Sequence, residues 1–298
     1  MNLTLMEVPY DSGAYNRRMG RGPFYLVEHG IMDKASAFCG GVERIVIEAD
    51  DVFPTEVGTT FHLLRATSQA VRQTVEQGRF PLILAGNCVS TVGALSGLMP
   101  QEVGLIWFDA HGDFHTPETT PSGFLDGMSL SIAVGHCWQT VTGSIPHYRP
   151  IPEERVLLVG ARDIEPLESK RLDASRVTHL PCSVLRQGAS DALDEAIATL
   201  AAEVDSVFLH IDLDVHDAAL APTNRYKPPG GLTPDEVREV ILTIGGQFSI
   251  CGATLAAYDP EVDDQQRGLQ AAREIVELLC ALVAAQRGST GDPYLTGK

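Results

Sequence analysis

The chain has 298 residues, 44% of them hydrophobic and 20% charged, enough apolar side chains for a large core. Thirty-nine acidic against 22 basic residues give a formal charge of −17, which repels nucleic acid and anionic lipid and argues against both as partners. Six cysteines without a CxxC pair exclude a disulfide framework, and no apolar run reaches the roughly 18 residues of a membrane span.

The N-terminus "MNLTLMEVPY" lacks the basic and apolar run of a signal peptide, so a reducing cytoplasm is the expected setting. Apolar, β-branched runs predict strands at 3–7 and 44–47, and helical periodicity predicts a helix at 60–77. Strands follow at 80–84, 103–108, 155–159 and 177–180. The helix predicted at 190–203 places Leu193, Ile197, Leu200 and Ala201 on one face. A strand at 207–212 then leads to a helix at 233–244, whose start is marked in "GGLTPDEV". Thr233 serves there as N-cap, Pro234 as first residue and Glu236 as the closing member of a capping box. A last strand at 251–258 and a helix at 265–285 precede a tail over 287–298.

Strand–helix alternation of this kind implies a three-layer α/β/α domain with a central parallel sheet of about eight strands. Ligands of such sheets sit beyond the carboxyl ends of the strands. Two predicted strands end in chemistry-bearing residues: "IWFDAHGDF" carries Asp109, His111 and Asp113, and "VFLHIDLDVHD" carries Asp212 and Asp214. Residues two apart on a strand share a face. Four converging carboxylates repel one another unless a counter-charge is present. Acidic turns are common and one such motif carries little weight, but two of them closing apolar strands point to a pair of divalent cations. Oxygen donors with one imidazole suit Mn²⁺, with Fe²⁺, Co²⁺ or Ni²⁺ as alternatives, and do not suit a thiolate-rich structural zinc site.

The stretch "DAHGDFHTPETTPSGFLDG" resembles the central motif of the ureohydrolases, the arginase and agmatinase family of binuclear manganese hydrolases. "HIDLDVHD" resembles their second ligand motif and "LILAGNCVS" their glycine-rich motif. "VGARDIEPLE" is similar to a substrate-side loop and "VPYDSGAYNRRMGRGP" to the N-terminal strand–loop, in the right order across nearly the whole chain. The resemblance implies two metals per subunit, bridged by Asp109 and Asp212. His111 and Asp214 would serve one metal, and Asp113 the other together with the bridging water. It also implies hydrolysis of a C–N bond in a guanidino-type small molecule, a linear amidine, yielding urea or a substituted urea plus an amine. A homotrimer or homohexamer is the implied assembly.

Three positions depart from the family pattern. Cys88 stands where relatives carry a metal-binding histidine, and is either a softer ligand or a buried thiol that binds nothing; a similar cysteine marks the hydroxyarginine amidohydrolase branch. In "LAAYDPEVD", Ala257 stands where arginases grip guanidinium with a glutamate, leaving Asp259 or Glu261 as substitutes. Asp126 occupies the place of a proton-shuttling histidine, with His115 as the alternative proton donor and a second substrate-side candidate. His210 replaces a small residue ahead of Asp212 and could orient a ligand. Glu165 falls where relatives hold the polar end of the substrate. The competing functions are hydrolysis of an N-hydroxylated guanidine and a non-catalytic homologue with a structural or regulatory role.

Overall fold

A computed structural model of the chain describes residues 1–51, 53–98 and 102–289. The chain starts on strand β1 (Asn2–Val8) and a small hairpin, β2 (Tyr10–Asp11) with β3 (Ala14–Tyr15). Helices α1 (Gly22–Leu26) and α2 (Met32–Ser36) lead to β4 (Gly41–Val46), α3 (Glu56–Glu76), β5 (Phe80–Ala85) and α4 (Ser90–Leu98). Next come β6 (Gly104–Phe108), α5 (Ser129–Ala133), α6 (Gln139–Thr142), β7 (Val156–Val159), α7 (Pro166–Asp173) and β8 (Thr178–Leu180). Helix α8 (Cys182–Ala201), β9 (Ser206–Asp212), α9 (Pro234–Gln247), β10 (Ser249–Ala256) and α10 (Arg267–Ser289) complete the chain.

Among the described residues the main sheet has eight strands in the order β4-β1-β5-β10-β9-β6-β7-β8, and every pairing is parallel. Successive strand residues feed opposite cores, which is why the strands are apolar on both faces. On β6, Leu105 and Trp107 join α3, α4 and α5, whereas Ile106 and Phe108 join α8, α9 and α10. The expected three-layer architecture is therefore observed. No described helix is long and apolar enough to cross a membrane, and all six cysteines are free.

Local signals explain where expected and observed elements differ. The capping box of α9 is present: the Glu236 N–H donates to Thr233 Oγ1 at 3.1 Å, and the Thr233 N–H to Glu236 Oε2 at 2.7 Å. Helix α8 starts at Cys182, before the expected 190, because Leu185 extends the buried stripe of Leu193 and Ile197 two turns earlier, past the helix-breaking Gly188. Helix α4 went unpredicted because all nine of its residues are buried, leaving no amphipathic period to detect. Gly93 and Gly97 let it lie close on α3, since a Cβ there would meet the carbonyl oxygens of Leu64 and Ser68 at 2.7 and 2.5 Å. Strand β10 ends at Ala256, two residues short of the expected end, because Ala257 turns left-handed with φ +64°. Helix α10 runs beyond 287, where the tail was expected to begin; 290–298 lie outside the described residues.

Candidate metal centre

The four central strands β5, β10, β9 and β6 are neighbours and parallel, so their carboxyl ends open at one edge. Asp109 follows β6 directly. Its Oδ2 accepts from the Trp107 indole at 2.9 Å and its Oδ1 from the His111 N–H at 2.8 Å. His111 Nδ1 lies 3.2 Å from Asp109 Oδ1 and 3.4 Å from Asp214 Oδ2, and its Nε2 is 3.0 Å from the Tyr226 carbonyl.

Asp212 closes β9. Its Oδ1 accepts from the Asp214 N–H at 2.8 Å, and its Oδ2 from the Cys88 thiol at 2.9 Å, across from β5. Asp214 accepts from the Ala110 N–H at 3.1 Å and from Asn224 Nδ2 at 3.0 Å. Asp113 sits at φ +48°, a strained conformation for a non-glycine residue. Its carbonyl takes the N–H groups of Leu130 and Ser131, while its buried Oδ2 has no hydrogen-bond partner.

The electrostatics follow from this crowding. Burial raises the carboxyl pKa of Asp109, opposed by its hydrogen bond with His111 and reinforced by Asp214. Burial pushes Asp113 and Asp212 well above the usual carboxylate range, with neighbouring carboxylates adding to the effect. Burial disfavours charge on His111, but Asp214 and Asp109 outweigh it and push its pKa up to about 10. Burial and the surrounding carboxylates likewise lift the Cys88 thiol well above its ordinary value.

A site that holds protons so tightly lacks positive charge, and the unpartnered Asp113 oxygen adds a free donor. Divalent cations fit this donor set. Asp109, His111 and Asp214 each offer an atom within 4.8 Å of the others, and so do Cys88, Asp109 and His210. The two groups share Asp109, so two cation-sized clusters lie side by side.

The other expected residues separate into two sets. Asp126 is buried beside the cluster, and burial raises its pKa to about 6 against hydrogen bonds that favour its charge. Its Oδ1 accepts from the Val89 N–H at 2.9 Å and Ser129 Oγ at 3.1 Å, its Oδ2 from Asn87 Nδ2 at 2.7 Å. His115 Nε2 meets Glu165 Oε2 at 2.7 Å and Glu168 Oε2 at 3.5 Å. Together with Ala257, these side chains line a cleft of about 630 Å³ above the cluster. Asp259 does not line it: its Oδ1 caps its own turn by accepting from the Glu261 N–H at 3.0 Å, and its Oδ2 faces Arg225 at 3.7 Å.

Four contributors were not anticipated. Trp107 reads in the sequence as a strand residue, although its place two before Asp109 on one face is a usable signal. Asn87 neighbours Cys88 in the glycine-rich stretch. Glu168, which accepts from the Phe114 N–H at 2.8 Å, closes the "VGARDIEPLE" stretch three residues after Glu165, a usable signal, whereas Asn224 sits in a segment whose sequence gives no such indication.

The sequence profile of the arginase family matches residues 1–281. The chain belongs to the arginase family. The arginase of Bacillus caldovelox is 29% identical over 286 residues, covering 89% of this chain and 93% of that protein. The crystal structure of arginase from Bacillus subtilis superposes with a TM-score of 0.85 at 27% identity, covering 94% of this chain and 98% of that one. At 18% identity and a TM-score of 0.72, the agmatine ureohydrolase of Thermoplasma volcanium shares the fold. Family membership accounts for the parallel eight-stranded sheet.

Proposed function

We propose that the chain is a binuclear metal-dependent hydrolase cleaving a C–N bond in a small guanidino compound, with urea or a substituted urea and an amine as products. One observation carries this reading: two donor groups share the buried Asp109, and Cys88, His111 and Asp214 of those groups line a cleft of about 630 Å³. Two divalent cations held there would supply a water-derived nucleophile at neutral pH. Asp109 and Asp212 would be ligands to both ions, and His111 and Asp214 to one of them. Asp113, whose Oδ2 is free of protein partners, would orient the attacking water. Mn²⁺ is the proposed ion for the group of Asp109, His111 and Asp214, given its hard oxygen donors. The free thiols support a reducing, cytoplasmic setting, and the trimeric or hexameric assembly rests on resemblance alone.

His115, clamped by Glu165 and facing the cleft, is the proposed donor of a proton to the leaving amine, and Glu165 and Glu168 the proposed partners of a polar substrate tail. Asp126 is a poorer donor because both its oxygens already accept hydrogen bonds. Its role is to hold the Asn87–Val89 turn that carries Cys88. Asp126→Asn turns an NH₂ toward an existing donor, costing about 1–3 kcal/mol of stability. We expect activity to drop several-fold with the alkaline-rising rate profile retained. Rate–pH curves check this; collapse of the rising limb in Asp126→Asn, with none in His115→Ala, would make Asp126 the acid.

Ala257 on the cleft wall, with Asp259 turned away, favours a neutral or N-hydroxylated guanidine over a cationic one. A charge-assisted contact is worth about 1.5–3 kcal/mol, so arginine is expected to react roughly 10–100-fold less efficiently than its N-hydroxylated counterpart. A panel of guanidino compounds with added Mn²⁺, scored by urea or hydroxyurea release, tests this. Equal efficiency on arginine overturns the specificity. No turnover of any compound by the two-metal protein leaves the non-catalytic homologue.

A further inference from the structure

His210 is left unused by the reaction above. It lies on β9 two residues before Asp212, is fully buried, and stacks on Trp107 with ring centroids 3.7 Å apart. Its Nδ1 is 2.8 Å from Thr91 Oγ1 on α4, while its Nε2 is buried with no hydrogen-bond partner. Leaving a polar atom unsatisfied in a sealed interior carries a free-energy cost. Packing alone gives no reason for that cost, since an apolar ring would stack on Trp107 without it.

A ring nitrogen of His210, the Cys88 Sγ and an Asp109 carboxylate oxygen lie within 4.8 Å of one another, and all three residues are buried. They come from three different strand ends, so their convergence is a product of the fold and not of local sequence. Resting on the metal-dependent reading, we propose that His210 is a direct metal ligand, forming with Cys88 and Asp109 a sulfur, nitrogen and oxygen set for the more buried cation. The Thr91 hydroxyl, by accepting from Nδ1–H, fixes the tautomer that presents the Nε2 lone pair, as partners of ligating histidines commonly do.

The two positions then differ in kind. Asp109, His111 and Asp214 make an oxygen-rich group, whereas Cys88 and His210 make a softer one that favours Zn²⁺ or Co²⁺ over Mn²⁺. The centre is thereby predisposed to hold two different metals. The competing occupant is a buried water, because Thr254, paired with His210 across β10, also has an unpartnered hydroxyl.

The full-length chain, stripped of metal and loaded with one equivalent of Zn²⁺, gives the direct test by X-ray absorption. One sulfur and one imidazole on the same ion support the proposal; sulfur without imidazole, or no sulfur, overturns it. Titration with Co²⁺ gives an independent readout. The unmodified protein should bind two equivalents, one with a sulfur-to-cobalt charge-transfer band. His210→Ser should weaken that equivalent by at least about 10-fold and leave the other intact. Cys88→His combined with His210→Ser, which returns an imidazole from the opposite wall, should recover the lost equivalent. Two unaltered equivalents in a folded His210→Ser variant sink the proposal alone, and assign the Nε2 to a water. Failure of the unmodified protein to bind either ion sinks the functional reading with it.

Discussion

Replacing Asp212 with Asn is expected to lower kcat/KM by about 10³-fold or more, roughly 4 kcal/mol of transition-state stabilisation, and to strip most bound metal. Three observations combine in that expectation. Asp212 is buried at the end of β9, its Oδ2 meets the Cys88 thiol at 2.9 Å, and its Oδ1 holds the Asp214 N–H at 2.8 Å. An amide keeps the volume, and its oxygen can still accept the Asp214 N–H, but it removes the negative charge that the proposed pair of cations would share. Asp109→Asn should behave alike, since Asp109 belongs to both donor groups. Elemental analysis decides the matter: two metals per chain retained in either variant would mean that the carboxylates do not hold the ions.

The second large effect is on stability against pH. In the metal-free protein Asp109, Asp113 and Asp212 have raised pKa values, chiefly through burial. The native state therefore keeps protons that the unfolded chain has released above pH ~4. More protons bound in the native than in the unfolded state means that stability falls as pH rises. His111, raised to about 10 by Asp214 and Asp109 against its burial, carries the same sign from about pH 6.5 upward. Metal bound as proposed would replace these protons, so its affinity should climb over the same range. At a metal concentration of about 100 Kd the gain is roughly 2.7 kcal/mol, about 4 °C for a domain of this size. Melting curves with and without Mn²⁺ should thus diverge from pH 5 to pH 8; a constant gap would show that no protons are exchanged for metal.

Much of this centre was legible in the sequence because its carriers are strand ends. An apolar run that halts on Asp109 or Asp212 declares both the burial and the edge of the sheet, and the alternation of strands and helices declares which edge. The legible part stops where burial is uniform or contacts are remote. Helix α4 hides in its own apolarity, so the Thr91–His210 contact could not be foreseen. The orienting Asn224 lies in a loop without period. Asp259 was a reasonable substitute for a missing carboxylate, but the left-handed turn at Ala257 sends it into a cap of its own. Such a reversal is a property of backbone angles, which composition does not report.

The strand order has a consequence for how the protein is made. β5 and β6 follow one another in the chain, yet β10 and β9 lie between them in the sheet. While the chain is being synthesised, β5 and β6 are available long before the two strands that must fill the gap. Native pairing at the heart of the sheet waits for residues 206–256, and all of its contacts there are distant in sequence, which makes for slow closure. Asp212 and Asp214 ride on the late-arriving strand. A nascent chain therefore has Cys88, Asp109 and His111 in hand without His210 and Asp214, the residues that complete the two clusters. On the metal-dependent reading, metal uptake is then the final act of maturation, and a chain ended before β9 lacks both the middle of the sheet and the residues that complete the two clusters.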